Sequence, residues 1–554
     1  MNLCRSSLIL AAAVVCACGP ATDPTHPGFS DVREALSSLP PGGGDPPAVD
    51  CLGSATASLS ASSTSISLWQ TTTITWNVQG GCALMRLDLA GLAVSRQGSR
   101  VFQPIANTSY TLTAIMGSAR RSLGTVNVLV RLPQIVTISS NSWVPMFVQA
   151  LKSDETKIVQ VANGVELDLS GWAFLPVKAG VTLVGARNSR DPGARLYTTT
   201  HPPVLFDIKG DGVRISGLRI EGPDKEFGDC TVHDSAGIAL DTDPAGGFAL
   251  VPGHTSMAQV LIENNELLGW SGAAVRVHDY GNRIDQASGT TRFVVRGNYI
   301  HNNQRQTQGA CSGDTDGYGV DVSHGAYALI EQNVFDWNRH SIASDGSDGT
   351  GYFAYSNLVL EHGGPTDIVL GVSFHTHAFD MHGQNNCGIS GDHTWNCGPA
   401  GEYMDIRNNT FLYTDGYSFR LRGTPRASTA APGLRVGADV TSNVFARIAL
   451  FDTANAAVLG ALYQNETGIA VADDRVAMNL SPSYGSCDFD GDGILDTFFA
   501  TGETWWFSSA GTRPWTYLNT SKLLPSQVAL GDFDHDGLCD VLGGGVLYSG
   551  GRSR

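Results

Sequence analysis

Six short stretches of the chain share the pattern apolar-x-x-Asn-x-apolar. They are Ile262-Glu-Asn-Asn265-Glu-Leu267, Val295-Arg-Gly-Asn298-Tyr-Ile300, Ile330-Glu-Gln-Asn333-Val-Phe335, Ala354-Tyr-Ser-Asn357-Leu-Val359, Ile406-Arg-Asn-Asn409-Thr-Phe411 and Val440-Thr-Ser-Asn443-Val-Phe445. The asparagines are spaced by 33, 35, 24, 52 and 34 residues. A fixed motif recurring at such a period marks a solenoid. Apolar residues two or three apart, as in VRISGLRIEG (213–222), fit strands and not one face of a helix. In a solenoid the recurring Asn would occupy one phase of each coil, stack on its neighbours and give its amide to the backbone at a turn. The 52-residue gap has room for two short coils or for one coil with an insertion. Cys387 and Cys397 inside it favour a disulfide-pinned loop.

Composition agrees with a turn-rich β protein. Charged residues are 16% of 554, and glycines number 65. At about 150 residues per domain the length predicts three or four domains. The formal charge is −17, from 35 basic and 52 acidic residues. This excludes a nucleic-acid binder, which needs a basic footprint against phosphate. It also excludes docking on anionic membranes through a polybasic face. An apolar content of 42% excludes wholesale disorder.

The chain opens with Arg5 and a ten-residue apolar run from Leu8 to Ala17. As a helix this spans about 15 Å, too short for a bilayer core of about 30 Å, so it reads as a secretion signal. The stretch Val15-Cys16-Ala17-Cys18 resembles a bacterial lipobox. The resemblance implies cleavage before Cys18, a lipid on its thiol, and a lipoprotein held at the bacterial cell surface or outer membrane. Residues 1–18 are then the signal peptide, and the Pro- and Gly-rich residues 19–50 a tether. Of 11 cysteines, eight remain once Cys4, Cys16 and Cys18 are set aside. An even number in an oxidising compartment favours disulfides. Sequence proximity pairs Cys51 with Cys82, Cys230 with Cys311, Cys387 with Cys397 and Cys487 with Cys539.

Three regions follow the tether. Residues 51–131 alternate apolar and polar positions in short runs separated by turns, as in a β-sandwich. The run TTTITWNVQGGC (71–82) with TSYTLTA (108–114) resembles the Ig-like modules of bacterial secreted enzymes. That implies a spacer, or a sugar-binding module. In residues 132–470, VTLVGARN (181–188), VRISGLRIEG (213–222) and IEQNVFDWNRHSIASDG (330–346) resemble right-handed parallel β-helix proteins of the pectin-lyase-like type. That fold hosts lyases, hydrolases, epimerases and adhesins, so the resemblance implies fold more than chemistry. Residues 471–554 carry Asp488-Phe-Asp490-Gly-Asp492-Gly-Ile-Leu-Asp496 and, 44 residues on, Asp532-Phe-Asp534-His-Asp536-Gly-Leu-Cys-Asp540. Carboxylates at alternating positions, with Gly permitting a sharp turn, suit Ca²⁺ in a structural role. The flanking SQVALGDFDHDGLCDVL (526–542) resembles FG-GAP or VCBS repeats, of which two cannot close a propeller. The expected fold class is all-β: a right-handed parallel β-helix with an N-terminal β-sandwich and a small C-terminal calcium-binding β domain.

Chemistry is sought on strands that follow the Asn turn. Val275-Arg276-Val277-His278, Val320-Asp321-Val322-Ser323, Phe379-Asp380-Met381-His382 and Phe419-Arg420-Leu421-Arg422 each alternate apolar with polar residues. Alternation places the polar set on one face, and stacked coils lie about 4.8 Å apart, so these side chains are expected to converge on a single solvent-facing groove. Arg339, His340, His375 and His377 join them from flanking turns. The run His375-Thr-His377-x-x-Asp380-x-His382 also allows a transition-metal site. No catalytic metal is assigned by the sequence. Acidic loops at Asp314/Asp316 and Asp345/Asp348 read as turns that could also take an ion.

Three functions suit this pattern. The first is a lyase acting on uronate-containing extracellular polysaccharide. Arg276, Arg420 and Arg422 would neutralise the uronate carboxylate, and His278, His340 or His382 would serve as base. An epimerase is a variant, since YGVDVSHG (318–325) faintly resembles the D-P-H-D strand of mannuronan epimerases but lacks its Pro and the following His. The second is a glycoside hydrolase using Asp321 and Asp380 as paired carboxylates, without the motif order of polygalacturonases. The third is a non-catalytic glycan-binding adhesin.

Overall fold

The structure is a computed structural model. It describes residues 52–67, 70–82, 85–104, 107–131, 134–152, 157–225, 234–241, 259–278, 293–303, 316–362, 377–381, 400–413, 417–421, 425, 436–446, 463–464, 469–476 and 484–552. The signal segment, Cys18 and the tether lie outside these residues, as do Cys51, Cys230, Cys311, Cys387 and Cys397. The described part of the chain divides into two compact units, one including Trp76–Gly98 and Tyr110–Thr125, the other including Val126–Arg554.

The N-terminal region is a β-sandwich of a three-stranded and a five-stranded sheet. Its strands keep a period of two. Thr72–Gln79 buries Ile74, Trp76 and Val78, and Thr108–Met116 buries Tyr110, Leu112 and Ala114. Cys82 is disulfide-bonded.

From Gln134 onward the chain winds into a parallel β-helix of three sheets, here A, B and C, with 11, 10 and 9 strands among the described residues. One coil runs Val260–Glu263 in A, Glu266–Leu268 in B and Ala273–His278 in C. Register holds from coil to coil, so that Ile262, Val295, Ile330, Ala354, Ile406 and Val440, the first residue of each motif, are successive partners in sheet A. Gly351–Tyr355 pairs directly with Tyr403–Arg407. The 52-residue gap is therefore a single coil with insertions, and the Cys387/Cys397 loop within it lies outside the described residues.

The A-to-B turn explains the motif. Asn298 Oδ1 accepts from the Asn265 backbone N–H (2.9 Å) and side-chain amide (3.1 Å), while Asn298 Nδ2 donates to the Ile262 carbonyl at 2.9 Å. The same three contacts recur from Asn298 to Asn333, Asn333 to Asn357, Asn357 to Asn409 and Asn409 to Asn443, and Asp474 takes over as acceptor at the end. All six asparagines are buried. Each follows a residue in the left-handed region, from Asn264 (φ +52°) to Ser442 (φ +58°). For residues other than glycine this costs on the order of 1–3 kcal/mol, which the ladder must offset. A second, two-rung stack, Asn303 Nδ2 to Asn338 Oδ1 at 2.9 Å, occupies the B-to-C turn.

The interior is apolar throughout and includes a run of aromatic rings, Phe379 to Phe411 at 4.8 Å and Phe411 to Phe445 at 5.1 Å. The α-helix among the described residues, Val144–Lys152, packs Phe147, Val148 and Leu151 onto the first coils. It covers an end that would otherwise offer open strand edges. No helix among the described residues is long and apolar enough to cross a membrane.

The C-terminal residues form a four-stranded and a three-stranded antiparallel sheet. Strands Asp496–Ala500 and Thr504–Ser508 carry adjacent aromatics that point to opposite faces. Phe498 and Trp505 enter the local core, whereas Phe499 and Trp506 pack on Val334 and Leu358 of sheet B and on Leu412, just beyond its strand Thr410–Phe411. The Cys487–Cys539 disulfide is present, as the sequence predicts.

Asn333→Ala deletes the acceptor for two N–H groups of Asn298 and one donor to Val295, all buried. Each stranded group costs about 1–3 kcal/mol, so urea denaturation is expected to show a loss of at least that size, against a negligible change for an exposed Asn such as Asn77.

Candidate functional site

Sheet C carries the polar column. Asp207, Ala239, Arg276, Asp321 and Ala343 are successive register partners. The pairing of Ile342 with Phe379 puts Asp380 next in line, followed by Arg420 and Gln464. Asp241, His278 and Ser323 align in the neighbouring column. The intervening residues Val275, Val277, Val320, Val322, Phe379 and Met381 fill the core, so Arg276, His278, Asp321, Ser323, Asp380 and Arg420 face outward as alternation requires.

One expectation is corrected. The column is not open to solvent: Arg276 and Asp321 are each 7% exposed and Asp380 is 0%. Arg276 Nη2 donates to Asp234 Oδ1, and its Nε lies 3.7 Å from Asp321 Oδ2. His278 Nε2 contacts the same Asp321 oxygen at 2.6 Å, and Ser323 Oγ donates to Asp321 Oδ1 at 2.7 Å. Burial alone would raise the Asp321 carboxyl. His278 charge and hydrogen bond, with Arg276 and Ser323, outweigh it and hold the group well below the ordinary aspartate range. Asp316 goes the other way: burial, then the charges of Asp234 and Asp321, push it up against Arg276 and Arg339. Two carboxyl groups thus share one neighbourhood with opposite proton affinities, a pattern typical of acid/base sites.

A second cluster adjoins the first. His340 opposes Tyr318 in register, and the rings stack at 5.4 Å. Arg339 lies 5.6 Å over the Tyr318 ring and donates to its hydroxyl at 3.2 Å. His340 Nε2 is 4.0 Å from Asp380 Oδ2, with both side chains buried. Arg420 is the register neighbour of Asp380. Of the residues singled out from sequence, Arg276, His278, Asp321, Arg339, His340, Asp380 and Arg420 are therefore brought to one region of sheet C. His375, His382 and Arg422 lie outside the described residues; so does the His377 side chain, although its backbone is in a sheet C strand.

Sequence reading missed Asp234 and Tyr318, which carry no motif, and gave Asp316 only as an acidic turn. His324, edge-on to His278 at 4.7 Å, was also missed. Asp345 is a turn residue: it accepts from the His324 and Ser347 backbone N–H groups and from the Ser347 and Thr350 hydroxyls.

The two C-terminal Asp loops are built alike. Asp488 accepts backbone N–H groups of Gly491, Asp492 and Gly493, as Asp532 accepts those of Asp536 and Gly537. The fourth residues, Gly491 (φ +73°) and His535 (φ +62°), share the left-handed conformation. Carboxylate oxygens of Asp488, Asp490 and Asp492 lie within 4.8 Å of one another, and so do those of Asp532, Asp534 and Asp540. Asp496 and Asp536 fall outside these groups. The backbone contacts are shared between the loops: Asp496 accepts from Phe489 and Ala510 as Asp540 does from Phe533, Asp534 and Gly550, and Asp536 Oδ1 accepts from Leu538 as Asp492 Oδ1 does from Ile494. Asp490 is half-buried and accepts from Ser189 Oγ at 2.7 Å through Oδ2, while its Oδ1 is shielded and has no hydrogen-bond partner. An oxygen so placed fits a hard cation. No family model matches the chain, and no curated protein matches it.

The opposed carboxyls give opposite pH signatures. Asp321, with its lowered pKa, contributes stability above the ordinary aspartate range and loses it as pH falls through the depressed value; Asp316, with its raised pKa, contributes only on the acid side and loses it as pH rises. At pH 7 Asp321→Asn is expected to lower the melting midpoint and Asp316→Asn to raise it, as read by calorimetry.

Proposed function

We propose that the chain is a surface-anchored, carbohydrate-active β-helix protein of the pectin-lyase-like type, acting on uronate-containing extracellular polysaccharide as a lyase. The observation that carries this reading is the 2.6 Å contact of His278 Nε2 with Asp321 beneath Arg276. With Nε2–H donated to the carboxylate, the imidazole lone pair resides on Nδ1, which takes the proton beside the uronate carboxylate. Arg339 and Arg420, brought to the same region of sheet C, are the cations that neutralise that carboxylate. The lipid on Cys18 and the Ig-like module hold this unit at the cell surface.

A second reading, hydrolysis, is favoured by one observation: Asp316 is pushed up and Asp321 down, as a general acid and its ionised partner would be. Product chemistry separates the two. Elimination yields unsaturated, ultraviolet-absorbing ends on polygalacturonate or alginate, whereas hydrolysis yields reducing ends without absorbance. Asp321→Asn is expected to slow product formation by about 10²–10⁴-fold with polymer binding retained. An unchanged rate, or no product from either polymer, overturns the catalytic reading in favour of an adhesin.

We further propose that the C-terminal loops are FG-GAP-like Ca²⁺ sites held by Asp488, Asp490 and Asp492 and by Asp532, Asp534 and Asp540. Calcium at about 100 times its Kd would stabilise this part by about 2–3 kcal/mol. Calorimetry should show a rise in its melting midpoint with Ca²⁺, reversed by EGTA and reduced by Asp490→Asn.

A further inference from the structure

A cavity of about 590 Å³ lies between the A-to-B turns of the β-helix and the C-terminal strand Thr516–Thr520. It is on a different wall from Arg276 and Asp321, which belong to sheet C. Its lining includes Arg187, Arg296 and Arg552 against a single carboxylate, Glu263. An excess of guanidinium groups is notable in a chain of net charge −17. Trp515 and Tyr517 supply aromatic surface.

The cationic side chains differ in their support. Arg187 is fixed by Asn264, whose Oδ1 accepts from Nη1 at 3.0 Å and whose Nδ2 donates to the Arg187 carbonyl at 2.8 Å. Burial holds the Arg187 guanidinium below the ordinary arginine range, Arg219 adds to that, and Glu266 and Tyr299 oppose it. An anion entering the cavity would offset this cost by its opposite charge. Arg296 bridges Glu263 at 2.8 Å and reaches toward Glu331 at 3.7 Å. Arg552 is exposed. Trp515 is seated on Phe499, with centroids 5.5 Å apart, and Tyr517 on Trp506 at 5.4 Å, so both rings are backed by packed side chains.

We infer that this cavity is a second saccharide-binding site, separate from sheet C, that takes an acidic sugar unit with its carboxylate on the arginines and its ring on the aromatic wall. Guanidinium forks match a carboxylate, aromatic faces match the C–H face of a pyranose, and the volume falls in the range of small-ligand sites. The choice of an acidic saccharide rests on the polysaccharide reading above; the site itself rests on its lining.

Isothermal titration of the full chain with trigalacturonate tests it. Binding is expected to weaken with added salt and to fall by at least about tenfold in Arg552→Glu and in Trp515→Ala. Maltotriose, which lacks carboxylates, is expected not to bind. The exposed position of Arg552 makes that variant informative even where Trp515→Ala disturbs packing. Absence of trigalacturonate binding, equal binding of maltotriose, or indifference to both Arg552→Glu and Trp515→Ala would each overturn the site. Failure of the chain to cleave uronate polymers, with this binding intact, overturns the proposed chemistry and leaves the cavity standing.

Discussion

A β-helix must bury a peptide turn in every coil, and a buried N–H without an acceptor is not affordable. The asparagine ladder meets that requirement. One side-chain oxygen serves two N–H donors of the previous coil, and one amide N–H returns to a carbonyl in that coil. Because each rung depends on its neighbours, the ladder fixes the register of sheet A, and sheets B and C follow from it. The alignment of Arg276 with Asp321, 45 residues apart in sequence, follows from that register.

Sheet C then turns alternation into chemistry. Inward apolar residues and outward polar ones separate cleanly, yet the outward set is covered. Low exposure strengthens each charge interaction, and it is why Asp321 and Asp316, set in one cluster, are pushed apart in proton affinity. His278 and Arg276 would have little effect on Asp321 in open solvent.

Much of this was legible in the sequence, for a physical reason. The Asn period, the strand alternation and the Asp loops are local patterns that translate directly into backbone geometry, so the solenoid, its phase and the C-terminal turns could be read residue by residue. The convergence of Arg276, His278 and Asp321 followed from phase as well. What was not legible depends on side chains meeting from turns whose conformation no periodicity dictates. Asp234 and Asp316 reach Arg276 from such turns, and Tyr318 is matched to His340 only once the coils are wound. The burial of the column was missed because alternation tells which way a residue points and not what lies over it. The helix Val144–Lys152 was hidden for a related reason, since a single capping element leaves no repeat to detect.

The C-terminal strands have one further consequence. Adjacent residues, Phe498 beside Phe499 and Trp505 beside Trp506, belong to two different cores, one within the appendage and one on sheet B. The appendage therefore cannot complete its packing until several coils are already stacked beneath it. Once seated, it lies as a latch over Val334, Leu358 and Leu412, and shields a greasy strip that would otherwise invite self-association.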